Sequence, residues 1–273
     1  MNNTDWQTVS IVGVGLMGGS FALGLRKEGF KGRIIGVSSP RTTSVALERG
    51  VIDEALPLHS AVAQADVVFL AQPIEKILQT LDVIDAAAKP GTLITDVGST
   101  KRAIVEKAAQ KIKRARFVGG HPMAGKESRG VEGAEPDLFR GYPWILTSED
   151  AQLETWIAKL GSNLVRLDAA THDRLVALSS HIPQLISTAL GTLIAENPET
   201  ASVAGPSARG MTRLALSDYE IWRDIFSTNA EEVDRALASY IERLEQLRTQ
   251  LRTGPGIADA FHLAAKGARA VRR

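Results

Sequence analysis

Ser99 and His121 each follow a short run of strand-forming residues, Leu93-Ile94-Thr95 and Phe117-Val118-Gly119. A serine hydroxyl can orient an alcohol, and a neutral imidazole can take that alcohol's proton as hydride leaves the same carbon. Such a reaction needs a hydride acceptor. Upstream, Gly13-Val14-Gly15-Leu16-Met17-Gly18 follows the apolar run Val9–Val12 and precedes the helical stretch Ser20–Leu25. In that setting Gly13 permits a tight turn, Gly15 lets a pyrophosphate approach the backbone, and Gly18 lets helix and strand pack closely. The helix N-terminus, with Leu16 and Met17 in its first turn, then offers N–H groups and partial positive charge to the phosphates.

The end of the second apolar run bears on which dinucleotide binds. An acid there would hold both ribose hydroxyls and repel a 2′-phosphate. This chain instead has Val37-Ser38-Ser39-Pro40-Arg41. Two hydroxyls and a guanidinium suit a phosphate, so the expected cofactor is NADP, with NAD possible. Ala71 and Pro73 close a third run at the same edge and are expected to line the cofactor. Pro73 cannot donate to a strand ladder and stops the strand.

Further along, Arg213 offers a permanently charged, bidentate partner for a substrate carboxylate. His181 precedes Pro183 in a helical run, and the bend that proline imposes would turn His181 and Gln184 toward a cleft. Arg223 has acidic Asp224 beside it and reads as a structural ion pair.

The elements that must position these groups are legible. Short β-rich runs at Thr8–Val14, Arg33–Val37, Val67–Ala71, Leu93–Val97, Phe117–Gly119, Trp144–Thr147 and Leu164–Leu167 alternate with helical patterns such as Leu16–Glu28 and Lys101–Lys113. This alternation predicts an α/β fold, a doubly wound, mostly parallel sheet with helices on both faces. Ser99 and His121 are then expected on loops at the carboxyl edge of that sheet, where such folds bind ligands. Beyond Asp168 the period becomes helical, through Leu175–Leu193 and again through Val233–Leu251. The expected division is a dinucleotide-binding domain over 1–168 and an all-helical domain over 169–273. The stripe of the last long helix suits either an intrachain core or a second subunit.

The 273 residues carry a formal charge of +1 and no cysteine. Near-neutrality argues against nucleic acid as partner. The absence of cysteine excludes disulfides and thiolate zinc. With neither a signal-like start nor a bilayer-length apolar run, the expectation is a cytoplasmic protein.

The stretches GVGLMGGS (13–20), DVGSTK (96–101), GGHPMAGKE (119–127), HDRLVALSSHIPQ (172–184) and MTRLALSDYEIWRDI (211–225) together resemble the prephenate/arogenate dehydrogenase family of tyrosine biosynthesis. The resemblance implies a Rossmann-type domain and a helical domain that forms a homodimer, with the active site between them and no metal. It implies oxidative decarboxylation of a small cyclohexadiene acid, arogenate to tyrosine or prephenate to 4-hydroxyphenylpyruvate. His121 matches the family's proton acceptor, Ser99 the serine bridging cofactor and substrate, and Arg213 the carboxylate-binding arginine. Glu127 and His181 match further active-site positions. Gln184 stands where several prephenate-using members carry histidine, which leans toward arogenate. Ala208 and Gly210 replace a usual aromatic and an acid. The chain ends soon after its last helical run, so no C-terminal regulatory domain or fused mutase is expected. Two other readings share the glycine loop: a β-hydroxyacid dehydrogenase or imine reductase, and a dinucleotide-sensing module without catalysis. The first would bring a lysine shortly before an asparagine in the helical half, a pairing not found after residue 169. The second would lack Ser99 and His121.

Overall fold

The computed structural model describes residues 6–126 and 128–272. Six strands, β1 (Thr8–Val12), β2 (Arg33–Val37), β3 (Glu54–Ala55), β4 (Val67–Leu70), β5 (Leu93–Asp96) and β6 (Arg116–Val118), form one sheet in the order β3-β2-β1-β4-β5-β6. Every pairing in it is parallel. Helices α1 (Leu16–Lys27), α2 (Pro40–Glu48), α3 (Leu58–Gln64), α4 (Ile74–Leu81) and α5 (Arg102–Lys111) connect them. Strand order reverses between β1 and β4, and doubly wound sheets bind ligands in the crevice at such a switch point.

Both faces of the sheet are buried. On one, Phe21 of α1 stacks on Phe69 of β4 with ring centroids 3.9 Å apart, and Trp144 and Phe139 pack beside them. On the other, Ile77 and Leu81 of α4 and Ile104 of α5 cover Val68, Leu70 and Ile94. Burial on two sides explains the nearly continuous apolar strands.

A second sheet departs from expectation. Strands β7 (Gly120–Pro122), β8 (Pro143–Leu146) and β9 (Asn163–Arg166) form a three-stranded sheet of their own, with β7 antiparallel to β8. His121 therefore lies in a strand, paired with Ile145, and not on a loop. Pro122 is tolerated because β7 is an edge strand. Helix α6 (Ala151–Lys159) bridges β8 and β9.

After β9 the described chain is helical: α7 (Ala169–Val176), a π-helical turn (Ala177–His181), α8 (Ile182–Glu196), α9 (Pro206–Thr212), α10 (Tyr219–Thr228), α11 (Ala230–Thr253) and α12 (Ile257–Val271), with short 3-10 turns between. The disturbance expected near Pro183 takes the form of that π-helical turn, a feature found at functional sites. No helix among the described residues is long and apolar enough to cross a membrane.

Candidate active site

The site begins where β1 ends. Gly13 has φ +97°, and a Cβ there would lie 2.3 Å from the carbonyl oxygen of Ala71. A Cβ on Gly18 would lie 2.1 Å from the Gly13 carbonyl oxygen and 2.8 Å from Ile11. Only glycine fits either position. A Cβ on Gly15 would meet nothing within 4 Å, and Gly15 caps α1 without any side-chain hydrogen bond. The first turn of α1, with Leu16 and Met17 half-buried, thus opens its N–H groups onto unfilled space. These residues fit a dinucleotide pyrophosphate: a cradle where side chains cannot go, beneath a helix N-terminus.

Beside it, Ser38, Ser39 and Arg41 are exposed at the end of β2 and the start of α2. The Ser39 hydroxyl also caps α2 by accepting from Thr42 N at 3.3 Å. Pro73 caps α4 on the far side of the loop, after β4 stops at Leu70.

Asp96 and Lys101 draw the reacting groups together. Asp96 accepts from Gly98 N at 2.7 Å and from Gly120 N at 3.1 Å. One carboxylate therefore holds the residue before Ser99 and the residue before His121. The Lys101 ammonium pairs with Asp96 and donates to the Gly120 carbonyl at 2.7 Å. Neither side chain has any exposure, so this ion pair is rigid, and removing one partner would leave a bare buried charge. Burial pulls the lysine's pKa down, and Asp96 opposes that pull.

The helical half docks onto this clamp. His121 Nδ1 lies 2.8 Å from His172 Nε2, and His172 Nδ1 lies 2.7 Å from Asp173 Oδ1. Asp173 also accepts from Lys101 N at 2.7 Å and Arg102 N at 2.9 Å, capping α5. Burial pushes the Asp173 carboxyl upward, but His172 and the two amides outweigh it and hold the group below the usual carboxylate range. Asn229 donates to the Asp173 carbonyl at 2.9 Å and lies 3.3 Å from His181 Nδ1. A second carboxylate from the helical half, Asp224, accepts from Glu75 N in the first turn of α4 at 3.1 Å. Both docking acids thus meet helix N-termini, where negative charge is favoured.

Burial, followed by His172, Lys101 and His181, holds the His121 imidazole well below the ordinary histidine pKa. It is neutral near pH 7 and able to accept a proton. His181 ends the π-helical turn with its ring edge-on to Trp222, and burial lowers its pKa to about 4. Gln184, one turn further, is buried; its Nε2 lies 3.3 Å from Thr188 Oγ1, and its Oε1 has no partner among the described residues.

Asp96 thus ties the loop of Ser99 to the strand of His121, Asn229 links His181 to Asp173, and Gln184 follows one turn after His181. Arg213 opens a 3-10 turn that packs on α8 through Ala215 N and Ser187 Oγ, and is itself exposed. Arg223 pairs with Glu220 and Asp224. Glu127 lies outside the described residues. Sequence reasoning gave no role to His172, Asp173 or Asn229, nor to the Asp96–Lys101 pair. The adjacent His-Asp at the start of α7 and the acid and lysine bracketing Ser99 were the available signals.

The family description "Prephenate dehydrogenase, nucleotide-binding domain" matches residues 21–172, and "Prephenate dehydrogenase, dimerization domain" matches 168–263. A prephenate dehydrogenase of Bacillus subtilis is 35% identical over 260 residues, covering 89% of this chain and 69% of that protein. Among solved structures, prephenate dehydrogenase from A. aeolicus, in complex with hydroxyphenyl propionate and NAD+, superposes with a TM-score of 0.91 at 29% identity, covering 99% of this chain and 100% of that one. Synechocystis arogenate dehydrogenase gives 0.84 at 31% identity, covering 97% and 100%. With its glycine cradle, its buried neutral histidine and these likenesses along nearly its whole length, the chain belongs to the prephenate dehydrogenase family.

Proposed function

We propose that this protein carries out the NADP-dependent oxidative decarboxylation of arogenate or prephenate, with His121 as the proton acceptor. One observation carries the reading: a neutral, buried imidazole is tied through Asp96 to the loop bearing Ser99, at the carboxyl edge of a dinucleotide-type sheet. The Gly13–Gly18 loop, Ser38, Ser39, Arg41, Ala71 and Pro73 would hold the cofactor, which when bound supplies a hydride acceptor. Ser99 orients the ring hydroxyl, and His121 takes its proton as hydride leaves the same carbon. The ring carboxylate departs as CO₂, its bonding pair enters the ring, and the oxygen recovers its proton. Aromatisation makes the step effectively irreversible. Arg213 holds the substrate carboxylate, and Glu127 and His181 stand at further active-site positions, with Gln184 beside them.

Two finer readings follow. The lack of an acid after β2, with Arg41 exposed there, favours NADP. The unpartnered Gln184 Oε1 is an acceptor that the ammonium of arogenate can satisfy and the ketone of prephenate cannot. Residues 1–168 form the cofactor half and 169–273 the substrate and dimerisation half. Support for a homodimer comes from exposed apolar side chains on the C-terminal helices, among them Leu193, Ile241, Leu244, Leu251, Phe261 and Leu263.

Steady-state kinetics with four pairings, each acid with NAD and with NADP, test the whole reading. Arogenate with NADP should give the highest kcat/KM. Turnover with neither acid would reject the function, and a preference for NAD or prephenate would reject that part alone. Arg213→Ala should act mainly by raising the substrate KM.

A further inference from the structure

A base at His121 must present a bare nitrogen, and neutral imidazole has one bare and one protonated nitrogen. Free histidine does not settle which is which; the partners do. Here the choice can be followed from the far end. The Asp173 carboxylate can only accept, and it already receives Lys101 N and Arg102 N. His172 Nδ1, 2.7 Å away, must therefore donate to it. A neutral His172 then has a bare Nε2, and that nitrogen can only accept from His121 Nδ1 at 2.8 Å.

We propose that His172, oriented by Asp173, is the positioning residue that fixes His121 in the Nδ1–H tautomer and so offers Nε2 as the nitrogen that takes the substrate's proton. This rests on the reading of His121 as the base. The hydrogen bond also strengthens when His121 becomes an imidazolium, because its donor is then charged. His172 thus supports the proton transfer without touching the substrate. Its anchor joins α5, α7 and the N-cap of α11, since Asn229 holds the Asp173 carbonyl. The correct tautomer consequently exists only when the helical half is docked. A lysine and a histidine, Lys101 and His181, also face His121, and neither accepts from its Nδ1.

Two-bond ¹H–¹⁵N correlation spectra of the ¹⁵N-labelled full chain at neutral pH read the tautomers directly. The five histidines are few enough to assign by single substitution. In the wild type, His121 should give the Nδ1–H pattern. In His172→Phe, Asp173 keeps its two amide donors, so the cap on α5 survives. There His121 should revert to Nε2–H, and kcat should fall roughly 10–10²-fold with KM nearly unchanged. His172→Gln, whose Oε1 can accept from Nδ1, should recover most of the loss. A wild-type Nε2–H pattern, as an imidazolium at 172 would impose, overturns the relay whatever the turnover. So does His172→Phe retaining both the Nδ1–H pattern and full kcat. If the spectra come out as expected but His121→Asn turns over normally, the base assignment fails instead, and with it the catalytic purpose of the relay.

Discussion

The two halves of the molecule are stabilised by different physics. The cofactor half buries stacked aromatic rings and fully apolar strands, with Phe21, Phe69 and Trp144 at its centre. Past residue 168, the buried apolar side chains among the described residues are only Val176, Ala177, Ile182, Ile225 and Val233. Buried polar ones, among them His172, Asp173, His181, Gln184, Asp224 and Asn229, outnumber them. Much of the helical half's apolar stripe faces outward instead. One half is held by burial, which is non-directional. The other is held in place by directional hydrogen bonds to its neighbour, one of them to His121 itself.

Substitutions in each half test this contrast. The largest effect should come from His121→Asn, with kcat lowered ~10²–10⁴-fold and KM little changed. Near-normal turnover would show that the polar network serves docking alone. Next, Phe69→Ala should cost about 3–5 kcal/mol in urea unfolding, since it removes one ring of a fully buried stack. Leu251→Ala, on the exposed stripe, should change unfolding of the isolated chain by less than about 0.5 kcal/mol, yet weaken self-association in sedimentation. Equal losses from the two substitutions would erase the distinction.

Acid should loosen the helical half first. The folded pKa of His181 is about 4 against an ordinary 6.5, so the unfolded chain binds the proton more readily. Its contribution, on the order of 3 kcal/mol, is present above pH 6.5 and is lost as the pH falls toward 4. His121 adds to the loss with the same sign. Asp173, depressed below 3.8, loses its contribution only at still lower pH. Amide exchange followed from pH 7.5 to 4.5 should show protection in α7, α8 and α11 falling before that in β1 and β4. Simultaneous loss would refute two modes of support. The smallest effect is expected at the surface: Arg41→Ala should raise the KM for NADP roughly tenfold and that for NAD far less, with stability unchanged.

How much could be read in advance differed between the halves in the same way. The strand and helix order of the cofactor half followed from local alternation, and the roles of Gly13 and Gly18 from their spacing. The separate sheet of β7, β8 and β9 was not legible. A three-residue strand containing Gly120 and Pro122 carries no period, and only its pairing with β8 creates it. The helical period after Asp168 announced helices but could not say which residues they would bury.

Chain order, the glycine cradle and the identity of Ser99 and His121 as chemically able residues were set by sequence alone, because they depend on neighbours a few positions apart. Tertiary structure decided which nitrogen of His121 is bound. It also decided which carboxylate clamps two loops and which acids seat the helical half. His121 and His172 stand 51 positions apart, and Glu75 and Asp224 149 apart. Hydrogen bonds are short-ranged and directional, so no local pattern encodes such pairs; only the packed chain brings donor to acceptor.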